Sequence, residues 1–193
     1  EANRLLAVDQ TAGRGGRNTD VVAHCTEALL LDPGLVAALH LRALGNEKLR
    51  KPTLALADLD TAVELAPAHT GLRRDRARLY AVLGRNEDAL ADCEQGLKLH
   101  ADHPGLLYRR AQIWLDDGAP KKARDEFIRL LKASPGHGPA YVGVGDASVR
   151  LGDERAALTN YERALKYLPA RHPWAPKLRA AVAQLRAKVP KAR

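Results

Sequence analysis

Methionine is absent from this chain, even at position 1. That absence points to a processed product or a piece of a longer protein, with further chain upstream. Long apolar runs are missing too: no stretch approaches the ~20 residues needed to span a bilayer. The opening EANRLLAVDQ lacks the basic start, apolar run and cleavage site of a signal peptide. Serine occurs only as Ser134 and Ser148, with no positioned base implied, so a serine-nucleophile site has little to draw on. The glycines of GHGPAYVGVG (136–145) follow no strand and lack the lysine of a phosphate loop, which excludes nucleotide binding by that motif. Carboxylates are spread along the chain with no sign of a convergent acid pair, so the residues point away from catalysis.

What is present reads as a folded protein: 46% hydrophobic and 28% charged residues, with a net charge of +8. The charge is unevenly placed. Residues 171–193 hold seven basic side chains and no acidic one, while residues 1–170 carry 24 basic against 23 acidic. A nucleic-acid footprint would run along a face of the whole domain, so the composition argues against one.

At an offset of 34 residues the chain matches itself. A turn column reads Pro33, Pro67, Ala101, Pro135, Pro169, and a second reads Gly16, Arg50, Gly84, Gly118, Gly152. Small or apolar residues recur between them: Val21, Ala55, Ala89, Ala123, Ala157 in one column, Asp9, Ala43, Ala77, Ala111, Gly145 in another. Small residues let helices approach closely, and glycine supplies the positive φ that ends one. Each unit therefore reads as helix, tight turn, helix, then a Pro-marked turn.

Two further columns are coupled. One runs Val8, Arg42, Arg76, Arg110, Val144, and the column sixteen residues later runs His24, Asp58, Asp92, Glu126, Asn160. Arginine occurs only where a carboxylate stands opposite. This co-occurrence predicts structural ion pairs Arg42–Asp58, Arg76–Asp92 and Arg110–Glu126 between the two helices of each unit.

The alanine, glycine and proline columns, with ALADLDTAVELAP (55–67) and ALTNYERALKYLP (157–169), resemble the tetratricopeptide repeat. The resemblance implies an all-α, right-handed α-solenoid of antiparallel helix pairs as a single domain, residues 1–193. Its repeats would be 2–35, 36–69, 70–103, 104–137 and 138–171, with a capping helix over 172–190. The match is weaker in the first repeat, where Asp9 takes a usually small site and GRGGRN (13–18) loosens the turn. In the last helix Trp174, Leu178, Val182, Leu185 and Val189 make one apolar stripe to cover repeat five.

The family's first helices line a concave groove that receives extended peptides or partner helices. Carried over, the groove positions are His40, Leu44, Lys48, Arg74, Arg78, Tyr108, Arg109 and Gln112, with Asp75 and Asp116 beside them. Arg74, Arg78 and Arg109 next to Tyr108 form the favoured contact cluster, suited to carboxylates and an apolar side chain. One subfamily grips chaperone C-termini with a lysine and asparagine, an asparagine, then a lysine and arginine. Here those places hold His40 and Leu44, Asp75, then Gly105 and Arg109, which does not match.

The expected function is a non-catalytic protein–protein interaction scaffold, with a protein or peptide partner of acidic character and self-association as a further expectation. Two alternatives stand beside it: the interaction segment of a larger protein, such as an enzyme, or an assembly factor that uses the basic last helix on membrane or nucleic acid. The amphipathic stripe of that helix is already needed for capping, which disfavours membrane contact. No cofactor is implied. His69, His103 and His137 also recur at 34, but one repeat separates them, whereas zinc ligands share a centre at ~2.1 Å. Cys25 and Cys93 lie two repeats apart, beyond disulfide reach, and read as small core residues.

Overall fold

A computed structural model describes residues 14–189. Among these residues the chain forms ten helices and no strand: α1 (Arg14–Leu31), α2 (Val36–Lys48), α3 (Pro52–Leu65), α4 (Thr70–Val82), α5 (Asn86–Leu99), α6 (Pro104–Asp116), α7 (Pro120–Ala133), α8 (Gly138–Arg150), α9 (Glu154–Tyr167) and α10 (Ala175–Lys188). The chain divides into two compact units, with the boundary between Leu99 and His100. Val8 and Asp9 lie outside the described residues. The fold class is an all-α solenoid of antiparallel helix pairs.

The turn column sets where each first helix ends. Gly84, Gly118 and Gly152 take φ of 74°, 74° and 75°, and Arg50 adopts φ 61° in the same place. An L side chain there costs energy that glycine avoids. Proline then opens α3 and α7 at the first helical position, where its missing N–H goes unused.

Small residues bring paired helices together. Ala55, Ala89, Ala123 and Ala157 are all fully buried, as are Ala77 and Ala111 on the facing helices. In α8 the approach is tighter: a Cβ on Gly145 would sit 2.4 Å from the Tyr161 ring, so no side chain fits. Leu59, Cys93, Phe127 and Tyr161 fill the spaces between.

The arginine–acid contacts link the helices of three pairs. Arg42 Nη2 donates to Asp58 Oδ1 at 2.6 Å, and Arg76 Nε and Nη2 each donate to Asp92 at 2.6 Å. Arg110 Nε donates to Glu126 Oε1 at 3.0 Å, and its Nη2 reaches the same oxygen at 2.5 Å. Asp58, Asp92 and Glu126 are all buried. Arg76 has a second carboxylate, Asp60 Oδ1 at 3.0 Å. These bonds hold the Arg42 and Arg76 guanidiniums above their ordinary pKa.

Two expectations are corrected. Residues 14–18 do not form a loose turn, because α1 already begins at Arg14. α1 lies close against Gly45 of α2, where an added Cβ would meet Val22 at 2.8 Å and the Asn18 carbonyl at 3.4 Å, and this packing supports the helix despite the weak helix propensity of residues 14–18. In α10, Leu178, Val182 and Leu185 are buried against Tyr141, Tyr161 and Leu168. Trp174, however, precedes the helix and stays 41% exposed, while Ala175 takes the buried place.

Candidate interaction site

The histidine column has a structural role. His69, His103 and His137 each stand just before a first helix, and Nδ1 accepts the amide of Leu72, Leu106 and Ala140 at 3.3, 3.3 and 3.1 Å. Each thereby gives a second acceptor to a first-turn N–H that otherwise has only the histidine's own backbone carbonyl, three residues back. No group of side chains that could hold a metal occurs among the described residues.

In the first unit, α2 and α4 present His40, Leu44, Lys48, Arg74 and Arg78. Asp75 is buried between two of them. His40 Nε2 lies 2.8 Å from Asp75 Oδ2, and Arg74 donates to both carboxylate oxygens at 3.0 and 3.1 Å. Burial alone would raise the Asp75 carboxyl, but the His40 and Arg74 contacts together hold it below its ordinary value. Arg78 pairs with Glu47 of α2. Arg74 and Arg78, two of the three arginines of the favoured cluster, therefore already hold carboxylates of their own unit. Leu44 is half-buried and Lys48 is exposed.

In the second unit, α6 supplies Tyr108, Arg109 and Gln112. The Tyr108 ring lies between Phe127 and His137, with centroids 5.7 and 5.3 Å away. Gln112 Nε2 donates to the Tyr108 hydroxyl at 3.1 Å, and burial raises the pKa of that hydroxyl. Gln112 Oε1 is buried and has no hydrogen-bond partner. Arg109 is half-buried beside them.

Tyr108 and Gln112 line a recess of about 240 Å³ together with Pro139, Val142, Asp146 and Trp174. Its floor includes Phe127 and Tyr161, and Lys177 stands at its edge. Tyr161 donates to Asp146 Oδ1 at 2.6 Å, and burial with this bond raises the tyrosine pKa. The recess offers apolar walls, an unmet acceptor and a carboxylate. It can take an apolar side chain whose attached N–H or O–H reaches Gln112.

Sequence reasoning missed Asp146, Trp174 and Glu47. Asp146 and Trp174 sit outside the carried-over groove positions, and their signal lies in the second unit's last repeat and the turn after it.

The profile of the family described as tetratricopeptide repeat matches residues 40–104 and 74–138, together just over half of the chain. The chain belongs to the tetratricopeptide repeat family. No curated protein matches it. Among solved structures it is similar to PilW, a widely conserved type IV pilus biogenesis factor, at 18% identity and TM-score 0.75, covering 97% of this chain and 91% of that one. It is also similar to TTC0263, a thermophilic TPR protein of Thermus thermophilus, at 20% identity and TM-score 0.70, covering 95% and 94%. YrrB, a TPR protein with an unusual peptide-binding site, aligns at 17% identity and TM-score 0.68, covering 93% and 88%. These likenesses carry the fold. Membership in the family makes the chain a protein–protein interaction scaffold in kind.

Proposed function

We propose that this chain is a non-catalytic scaffold that holds a peptide segment or helix of a protein partner on its first-helix faces, with the recess beside α6 and α8 as the anchor. The observation that carries this reading is Gln112 Oε1, a buried acceptor without a partner in a recess whose walls are mainly apolar and whose one carboxylate, Asp146, is engaged by Tyr161. An unmet buried acceptor costs the fold free energy that a bound donor would return. The peptide-binding site named for YrrB lends the same reading support from a neighbour of like fold. The first unit contributes less, because Arg74 and Arg78 are engaged by Asp75 and Glu47.

The test is selection from a random peptide library on the folded chain, followed by Kd measurement for a selected peptide. Gln112→Ala and Val142→Glu are expected to weaken binding at least ~10-fold, with circular dichroism unchanged. A peptide bound equally well by the parent and both recess variants would remove the anchor from this place.

A further inference from the structure

The arginine–acid ladder stops in the second unit. At α6 and α7 the place between helices holds Arg110 and Glu126, whereas at α8 and α9 the equivalent residues are Val144 and Asn160. Asn160 does not reach across. Its Nδ2 donates back along its own helix to the Ala156 carbonyl at 2.8 Å. Where the pair is missing, a cleft of about 360 Å³ opens, with Val144 and Asn160 in its lining.

The rest of the lining is of two kinds. Ile128, Leu131 and Tyr141 complete an apolar floor with Val144, and Ile128 is 39% exposed. Lys132 of α7 and Arg163 of α9 are the charged residues of the lining, and neither has an ion-pair partner among the described residues. Arg163 lies over the Tyr141 ring, 6.0 Å from its centroid. The cleft shares no lining residue with the recess beside α6 and α8.

We infer that this cleft is a second binding site, for a protein segment that presents an apolar side chain next to carboxylates. Charge complementarity selects the occupant: both charged groups of the lining are cations, and residues 100–193 carry 18 basic against nine acidic side chains. The floor is recessed, with Val144 only 3% and Tyr141 8% exposed, so the apolar group must project from a chain. A flat anionic lipid surface would meet the two cations without filling the floor. The segment's carboxylates meet Lys132 and Arg163, since the first-helix place that holds arginine in the earlier pairs is Val144 here. This site stands independently of the peptide anchor proposed above.

The test is a titration of the isotope-labelled chain, followed by NMR, with the acetylated and amidated peptide ELEFDG and its uncharged counterpart QLQFNG. ELEFDG should shift the amides of Ile128, Leu131, Val144 and Arg163 and bind at least ~10-fold more tightly than QLQFNG. Installing the missing pair as Val144→Arg with Asn160→Glu should fill the cleft and abolish saturable binding, while Gln112→Ala leaves it unchanged. Lys132→Glu with Arg163→Glu should give the same loss and guards against a misfolded first variant. Equal affinity for both peptides, shifts confined to the Tyr108 and Gln112 recess, or binding retained in the charge-reversed variant would overturn the inference. So would association with phosphatidylserine vesicles without saturable peptide binding.

Discussion

The two units use the same helix pairs and finish their first-helix faces differently. In the first, Asp75 and Glu47 engage His40, Arg74 and Arg78, so charged side chains close the face upon itself. In the second, Tyr108, Gln112, Val142 and Trp174 surround an open recess whose buried acceptor is unmet. A repeat array gives every unit an equivalent face, and equivalent positions do not make equivalent sites. What separates them is that the charged groups of the first face meet one another, whereas the second face keeps an acceptor that its own donors do not reach. The ladder shows the same contrast within one unit: Arg110 is paired, and one repeat later the place is empty.

The largest expected effect comes from breaking the ladder. Glu126→Ala should cost ~3–5 kcal/mol in urea unfolding, since it strands a largely buried Arg110. Asp92→Ala should cost less, about 2–3 kcal/mol, because Arg76 keeps Asp60 and Arg73, its other partner, keeps the Pro67 carbonyl. Equal losses would mean that Asp60 does not substitute.

Gly145→Ala should follow with a loss of about 1–3 kcal/mol, as the added methyl collides with Tyr161. A neutral result would mean that α8 and α9 move apart freely.

A third effect depends on pH. Burial lowers the His137 pKa below its ordinary 6.5, and Nδ1 must be unprotonated to accept the Ala140 amide. Between that lowered value and 6.5 the unfolded chain binds more protons than the folded one, so stability falls as pH drops through this window. His137→Asn keeps an acceptor that does not titrate, and should flatten the dependence of Tm on pH between about 7 and the acid limb.

The smallest effect concerns the turn column. Arg50→Gly should raise stability by about 0.5 kcal/mol, whereas Gly118→Ala should lower it by about 1 kcal/mol. A loss on Arg50→Gly would show that the arginine side chain itself is needed.

The helix pairs were legible because alanine, glycine and proline act locally: each dictates how closely helices approach or how a turn bends. The coupled columns at an offset of sixteen also lie where Arg42, Arg76 and Arg110 meet carboxylates, since that spacing is fixed within a helix pair. Side chains that reach between first helices were harder to read. His40 and Asp75 are 35 residues apart, one more than the repeat, and a comparison at 34 passes over them. The histidines recurred plainly, but a one-dimensional column does not reveal that Nδ1 turns back onto the helix that follows. Trp174 matched the stripe by spacing, yet α10 begins one residue later and turns Ala175 inward instead. The empty place at Val144 and Asn160 was visible as letters. That it opens a cleft between two unpaired cations required the third dimension.

Both cysteines, Cys25 and Cys93, are buried in the first unit, and both tryptophans, Trp114 and Trp174, belong to the second. The wild-type chain thus carries a separate native reporter for each half. Reaction of the thiols with an alkylating reagent reads opening of residues before 100, and indole fluorescence reads melting of those after. Followed together along one denaturant gradient, they tell whether the array unfolds as one cooperative block or loses its halves in turn.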